Sequence, residues 1–482
     1  MTLRIAARSA LLLSVLALLP ACKADPPKSP TTPVETAAAP KPVPQLKVEV
    51  EPSQRVIAAD KEAELFVRVR LTGLKLESDK RPPINLVLVA DTSGSMVGAP
   101  IEREKEACAK LVDALGKDDT LSIVTFGTKP RVLVPAAKLD AKTRAQAKTS
   151  IASIVAEGTT DLSGGLATGL SELGRFWAAD RINRVVLLGD GVPNDPAAIP
   201  AHVARAQSMN APITSLGLGP EFDETLMAKI AQDSGAAFHF IDDASRVSSV
   251  FEQEITQMKR LAARSARVEL SAGPGVEILE VVGVPASVGK VTHISVGDLG
   301  EGQVRDLVVR VKVAPRKDGA NVELLDASIG YSDVATNVAV TGNAFRAITA
   351  SANAGSVTEG RNAEVEHLAA RLQVADGIVQ SIALARGGDV NAARALLDRT
   401  IKIASSGAKT FDDAELEKKA KEARDLKKTI HTLAPPPEVA ESPSPHPGKP
   451  VPMMPKPVAM EPDVAMSMKR AHGEAMRSIQ GM

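Results

Sequence analysis

Between residues 84 and 261 the hydrophobic pattern switches period repeatedly, and this alternation limits the fold more than any other feature of the chain. Residues 84–90 (INLVLVA) form an apolar run of strand length, and similar runs recur at 121–126, 132–135, 184–189, 212–218 and 237–241. Amphipathic stretches of helical spacing separate them at 101–115, 141–154, 162–176, 197–209, 224–234 and 246–261. Strands apolar on both faces must be covered on both sides, and amphipathic helices supply that cover. The expectation is a doubly wound, mainly parallel α/β domain over residues 84–261, Rossmann-like in its winding.

The flanks follow another rule. In residues 63–71, Leu65, Val67, Val69 and Leu71 alternate with Glu64, Phe66, Arg68 and Arg70, the period of a half-solvated antiparallel strand. Residues 46–50 behave alike, as do runs at 267–270, 276–284, 290–296, 303–313 and 322–331 between Gly and Pro turns. One β-sandwich built from both flanks, 46–83 and 262–350, with the α/β domain inserted, accounts for this pattern. Aromatic residues make up only 2% of the 482, so Val, Leu, Ile and Ala must fill both cores. Residues 361–433 carry helical spacing rich in Ala, Leu, Lys and Glu, and Gly387-Gly388-Asp389 breaks it, which predicts a helical hairpin or small bundle. The stretch 434–482, rich in Pro and Met, reads as a disordered tail, Pro-rich from Ala434 to Pro462, with a short helix open as an alternative for the closing segment to Met482.

The amino terminus reads as an export signal over residues 1–21. Arg4 and Arg8 precede an apolar run at 10–19 that is too short to span a bilayer, and no later run approaches that length. The run ends in Leu19-Pro20-Ala21-Cys22, which resembles a bacterial lipobox, and the resemblance implies lipid attachment at Cys22. Each buried CH₂ of such an anchor contributes about 0.8 kcal/mol. Residues 22–45 hold seven prolines, a linker that at about 3.1 Å per residue reaches about 70 Å from the membrane. Lys23, where an Asp would favour inner-membrane retention in enteric bacteria, points to the outer membrane or the periplasmic face of the cell envelope. With Cys22 lipidated, Cys108 has no disulfide partner and reads as a small buried hydrophobe.

Composition excludes several function classes. The 58 basic and 58 acidic residues cancel, and one Trp and one Tyr offer no stacking platform, so nucleic acid is not an expected partner. His202, His239, His293, His367, His431, His446 and His472 are scattered, without paired metal spacing. Soft-metal binding by the Met-rich end, with His446 and His472, is a weaker reading than a flexible tail.

The chemistry gathers at Asp91-Thr92-Ser93-Gly94-Ser95, directly after the first apolar strand. A D-x-S-x-S match arises by chance about once in several thousand positions. Its place adds weight, because ligands of open α/β sheets collect outside the carboxyl ends of the strands. Gly158-Thr159-Thr160-Asp161-Leu162 opens a helix at the same edge, and Leu187-Leu188-Gly189-Asp190-Gly191 ends another strand there. Together Asp91, Ser93, Ser95, Thr160 and Asp190 resemble the metal-ion-dependent adhesion site of von Willebrand factor A domains, and order and spacing match over 84 to about 261. The string at 297–302 similarly resembles the β-domain of bacterial proteins with such domains, including those likened to inter-alpha-trypsin inhibitor heavy chains and calcium-activated chloride channels, and its glycines read as turn formers.

The resemblance implies a bound Mg²⁺, with Ca²⁺ or Mn²⁺ as substitutes, held by three hydroxyls and two carboxylates. Such an ion stays under-neutralised and accepts a Glu or Asp of a protein partner at its open position. It further implies that partner binding couples to movement of the helix at 246–261. Gly189 stands where Thr or Ser is common in the family and Asp161 where Asn is frequent, and a shift of one residue would put Thr159 in place of Thr160. The function implied is that of a lipid-anchored envelope binding protein and not of an enzyme. Two alternatives stay open: a metal-dependent hydrolase with Asp91 as nucleophile, and a structural scaffold acting through its helical region.

Overall fold

A computed structural model describes residues 44–76, 81–190, 192–219, 222–334, 336–431 and 462–481. The leader, Cys22 and most of the proline-rich linker lie outside the described residues. The chain enters through β1 (Leu46–Pro52), β2 (Val56–Ala58) and β3 (Ala63–Gly73). It then builds the α/β domain in the order β4 (Ile84–Asp91), α1 (Ala99–Ala114), β5 (Thr120–Phe126), β6 (Pro130–Lys138), α2 (Ala141–Ala152), α3 (Leu162–Gly174) and β7 (Ile182–Gly189). That domain closes with α4 (Ile199–Ser208), β8 (Ile213–Leu218), α5 (Glu224–Ser234), β9 (Phe238–Ile241) and α6 (Val247–Lys259).

The six strands lie in the order β6-β5-β4-β7-β8-β9, all parallel except edge strand β6. After β4 the chain winds outward through β5 and β6, then crosses to the other side of β4 with β7. The switch point is therefore beside β4, where the diverging loops leave a crevice at the carboxyl edge. Every residue of β4 and β7 is buried, as strands apolar on both faces require. Val87, Val89, Val185 and Leu187 face α3, whereas Leu86, Leu88, Val186 and Leu188 face α1 and α6.

The sandwich continues with β10 (Leu261–Ala272), β11 (Val276–Val281), β12 (Val291–Gly300), β13 (Val304–Val313), β14 (Asn321–Asp333) and β15 (Ala339–Ser351). One sheet is β1-β3-β13-β11 and the other β12-β10-β14-β15-β2, so the two flanks interleave around the insertion. Val67, Val69, Val309 and Val311 of the first sheet share a core with Val268, Leu270 and Ile329 of the second. Helix α6 passes into β10 through Arg260 alone. The string at 297–302, expected to supply turns, is in large part strand. Gly297 and Asp298 belong to β12, where Asp298 pairs with Arg184 of the α/β domain at 2.5 Å, both side chains buried. Only Gly302 among its glycines sits in a turn, at φ 69°.

The carboxyl-terminal region has more helices than a hairpin: α7 (Ala354–Glu359), α8 (Ala363–Arg386), α9 (Val390–Phe411) and α10 (Ala414–His431). The break at 387–389 is present, and a second falls where Asp412 adopts φ 51°. By length and composition alone α8 would be apolar enough to cross a bilayer, but half of its apolar stretch is buried within the fold, as in a core helix. Its Ala369 and Leu372 pack on Val282 and Val308 of the sandwich.

The largest correction concerns the tail. Residues Pro462–Gln480 form α11, docked on β9, α5 and α8. Val464, Met468, Ala471, Ala475 and Ile479 recur at helical spacing and pack into the core of the α/β domain. Methionine helps here because its flexible thioether fills irregular gaps. Met468, Met476 and His472 are buried, so in this state they are core residues and not exposed soft-metal ligands.

Candidate metal centre

Three loops leave the carboxyl edge of the sheet and are laced together by backbone hydrogen bonds. Gly94 N–H donates to Gly158 O (3.0 Å), Glu157 N–H to Thr92 O (2.7 Å) and Asn194 N–H to Thr160 O (3.0 Å). The loop after β4 thus bonds to the loop before α3, which bonds to the loop after β7. Helix α1 begins beyond Gly98, whose φ of 94° suits glycine, and Asp161 caps α3 by accepting from Gly164 N–H at 2.9 Å. The Asp that replaces the family's frequent Asn therefore has a capping role.

The structure brings four of the five expected side chains into one bonded set. Asp91 is fully buried, and its Oδ1 accepts from the Ser93 N–H at 2.8 Å, an Asx turn that swings the serines over the strand end. Ser93 Oγ and Ser95 Oγ stand 3.0 Å apart, and Ser95 Oγ donates to Asp190 Oδ1 at 2.6 Å. Thr160, on the adjoining loop, is buried. Thr159 is exposed and its Oγ1 accepts from Asn194 Nδ2 at 3.0 Å, which turns it away from the role left open for it. A Cβ on Gly189 would meet Asp91 Oδ2 at 3.4 Å, ordinary contact, so a larger residue fits there.

Among the described residues no group of three or more His, Cys, Asp or Glu could hold a metal ion by itself. The donor set here is of a different kind, two carboxylates with small hydroxyls, all oxygen. That chemistry fits a hard divalent cation such as Mg²⁺ or Ca²⁺ and not a soft one.

Two residues escaped the sequence reading. Asn194 fastens the third loop to the second, and no local signal marks it. Glu104 on α1 is fully buried, with no hydrogen-bond partner for either carboxylate oxygen among the described residues. Burial pushes its carboxyl well above the usual range, and the charges of Asp91 and Asp190 add to the shift. A signal was present: Ile101, Glu104, Cys108 and Leu111 share one helix face, and a charged residue on an apolar face is out of pattern.

Residues 85–253 match the family described as von Willebrand factor type A domain. The fold and this match define the chain as one that carries such a domain, a type that generally mediates contact between proteins. It is 26% identical over 285 residues to the uncharacterized protein sll0103 of Synechocystis, covering 56% of this chain and 66% of that one. It is 26% identical over 282 residues to YfbK of Escherichia coli, covering 56% and 48%, so the chain spans about half to two thirds of these relatives. Pig inter-alpha-trypsin inhibitor heavy chain H4 matches at 29% over 195 residues, 38% of this chain and 21% of that one. A solved structure described as von Willebrand factor type A from Catenulispora acidiphila superposes with TM-score 0.63 at 20% identity, covering 81% of this chain and 90% of the other. The ArnB paralog VWA2 of Sulfolobus acidocaldarius gives 0.55 at 15% identity, covering 90% and 99%. At these identities the likeness is one of fold, and it reaches well beyond the inserted domain.

Proposed function

We propose that this chain is a cell-envelope lipoprotein that docks a protein partner through a divalent cation, Mg²⁺ by preference, held by Asp91, Ser93, Ser95, Thr160 and Asp190. The observation that carries the reading is the bonded chain Asp91, Ser93, Ser95 and Asp190, which joins the ends of two neighbouring strands at the switch point. When bound, the cation supplies positive charge and an open coordination position, which an acidic side chain of the partner completes.

The chain's own residues do the rest. Short Ser and Thr stems hold neutral oxygens without adding charge, so the centre keeps its appetite for an anion. The amino termini of α1 and α3 open from loops of the same edge, and the positive ends of their dipoles favour an incoming carboxylate. Each of the three loops also exposes one large hydrophobic side chain, Val97, Val155 and Val192, among polar neighbours that include Glu157 and Asp195. An acid set among aliphatic or small side chains on the partner complements that rim, because shielding from water strengthens the ionic contact. The role is binding and not turnover, with the export signal and Cys22 fixing the protein to the membrane.

Titration calorimetry of the purified protein with Mg²⁺ and Mn²⁺ tests the centre, and Asp91→Ala must abolish the heat. Capture from envelope extract, with and without EDTA, then gives the partner, whose loss in EDTA and in Asp91→Ala is the expected result. Capture that ignores both defeats the reading. Palmitate labelling of the wild type, absent in Cys22→Ala, tests the anchor, and an unlabelled wild type removes it.

A further inference from the structure

We infer that Glu104 belongs to the metal centre as an outer carboxylate, placed on α1 to accept a hydrogen bond from a water of the bound cation without ligating the ion directly. The inference rests on the cation site proposed above and adds to it a residue outside the five. Glu104 is fully buried, and among the described residues neither of its carboxylate oxygens has a hydrogen-bond partner. Its companions on the helix face, Ile101, Ala107, Cys108 and Leu111, carry no charge to balance it. Cys108, one turn further along, is a buried thiol whose ionisation burial pushes well up, so it stays neutral.

Asp91 and Asp190, both of its own sign, lie near enough to oppose ionisation of Glu104. Parity along β7 agrees: Val186 and Leu188 face α1, and Asp190 continues that side beyond the strand end. A buried acid set against two aspartates of its own sign is costly to ionise. A divalent ion among Asp91, Ser95 and Asp190 would bring positive charge towards Glu104, and hard cations of this kind retain water ligands whose protons need acceptors. Glu104 is then a positioning residue for the hydrated ion.

The test compares Glu104→Gln and Glu104→Leu with the wild type, by Mn²⁺ titration calorimetry and by melting in EDTA. If the inference holds, both variants fold and bind Mn²⁺ about tenfold or more weakly, the usual effect of removing an outer-shell partner. Glu104→Leu also melts higher than the wild type in EDTA, because an unpaired buried acid gives way to an apolar side chain. Mn²⁺ affinity within twofold of the wild type in either variant, at any melting temperature, overturns the inference. Absence of Mn²⁺ binding by the wild type itself is a different outcome, and it overturns the cation site with the role of Glu104.

Discussion

Ser95 Oγ donates a hydrogen bond of 2.6 Å to Asp190 Oδ1, joining the loop after β4 to the loop after β7. The bond ties the two loop ends together and sets Ser95 beside Asp190 at the carboxyl edge of the sheet. Replacing Asp190 by Ala removes half of the carboxylate charge, whereas Ser95→Ala removes one neutral donor. Asp190→Ala is expected to abolish measurable Mg²⁺ binding, and Ser95→Ala to weaken it by about tenfold, close to the 1.4 kcal/mol typical of a single polar contact. Calorimetry reads the difference. Equal losses from the two would mean that the charge of Asp190 is not what holds the ion.

Much of this was legible in the chain because each signal had one physical source. Residues 84–90 had to form a doubly covered strand, and Asp91 then had to stand at its carboxyl end. The alternation in residues 63–71 gave a half-solvated strand, and β3 pairs with β13 in the sheet opposite β10 and β14. What was not legible depended on distant partners. Helix α11 lies in a low-complexity context, and its apolar face gains meaning only against Phe238 and Phe222 of the α/β domain. Glycines at 297–302 looked like turn formers because a close approach between domains leaves the same residue type as a turn. Asn194 acts only through a fold that brings its loop to Thr159.

Glu224, Arg386 and Lys469 form a buried charge cluster that secures α11. Lys469 Nζ reaches Glu224 Oε2 at 2.7 Å and also the Phe222 carbonyl, while Arg386 Nε reaches Glu224 Oε1 at 2.8 Å. Burial alone would raise the Glu224 carboxyl, but Lys469 and Arg386 outweigh it and hold the group below its ordinary value. Glu224→Ala leaves two cations without their shared acid, at a cost of about 3 to 5 kcal/mol. Denaturant unfolding is expected to show this loss, together with faster proteolysis at the α11 segment. An unchanged midpoint would show that the helix is held by its apolar face alone.

Gly297 adopts φ 84°, and a Cβ there would run into the carbonyl of Gly235, at the end of α5. The sandwich and the α/β domain meet backbone to backbone at this point, close to the Arg184 to Asp298 ion pair. Gly297→Ala is expected to cost about 2 kcal/mol or more, from backbone strain and steric overlap together. Gly302 has φ 69° with nothing within 4 Å of a Cβ, so Gly302→Ala should cost only the left-handed penalty of about 1 kcal/mol. Thermal melts of the two variants separate these contributions, and equal shifts would deny the close approach.

His472 gives α11 a dependence on acid. Its ring packs edge-on to Phe238, with centroids 5.7 Å apart, and burial pulls its pKa down from 6.5 to about 4. Lys469 and Arg386 push in the same direction, against the pull of Glu224. Unfolded chains therefore bind the proton first, between about pH 6.5 and 4, and the folded state loses ground as pH falls through that window. Above pH 6.5 the ring is neutral in both states and the penalty vanishes. Across the window the loss reaches about 3 kcal/mol at 1.36 kcal/mol per pKa unit. His472→Leu, which keeps the apolar contact and cannot be protonated, should flatten the fall in stability between pH 6.5 and 4. Urea unfolding at pH 7, 5.5 and 4.5 measures it, and parallel pH curves for variant and wild type would place the acid sensitivity elsewhere.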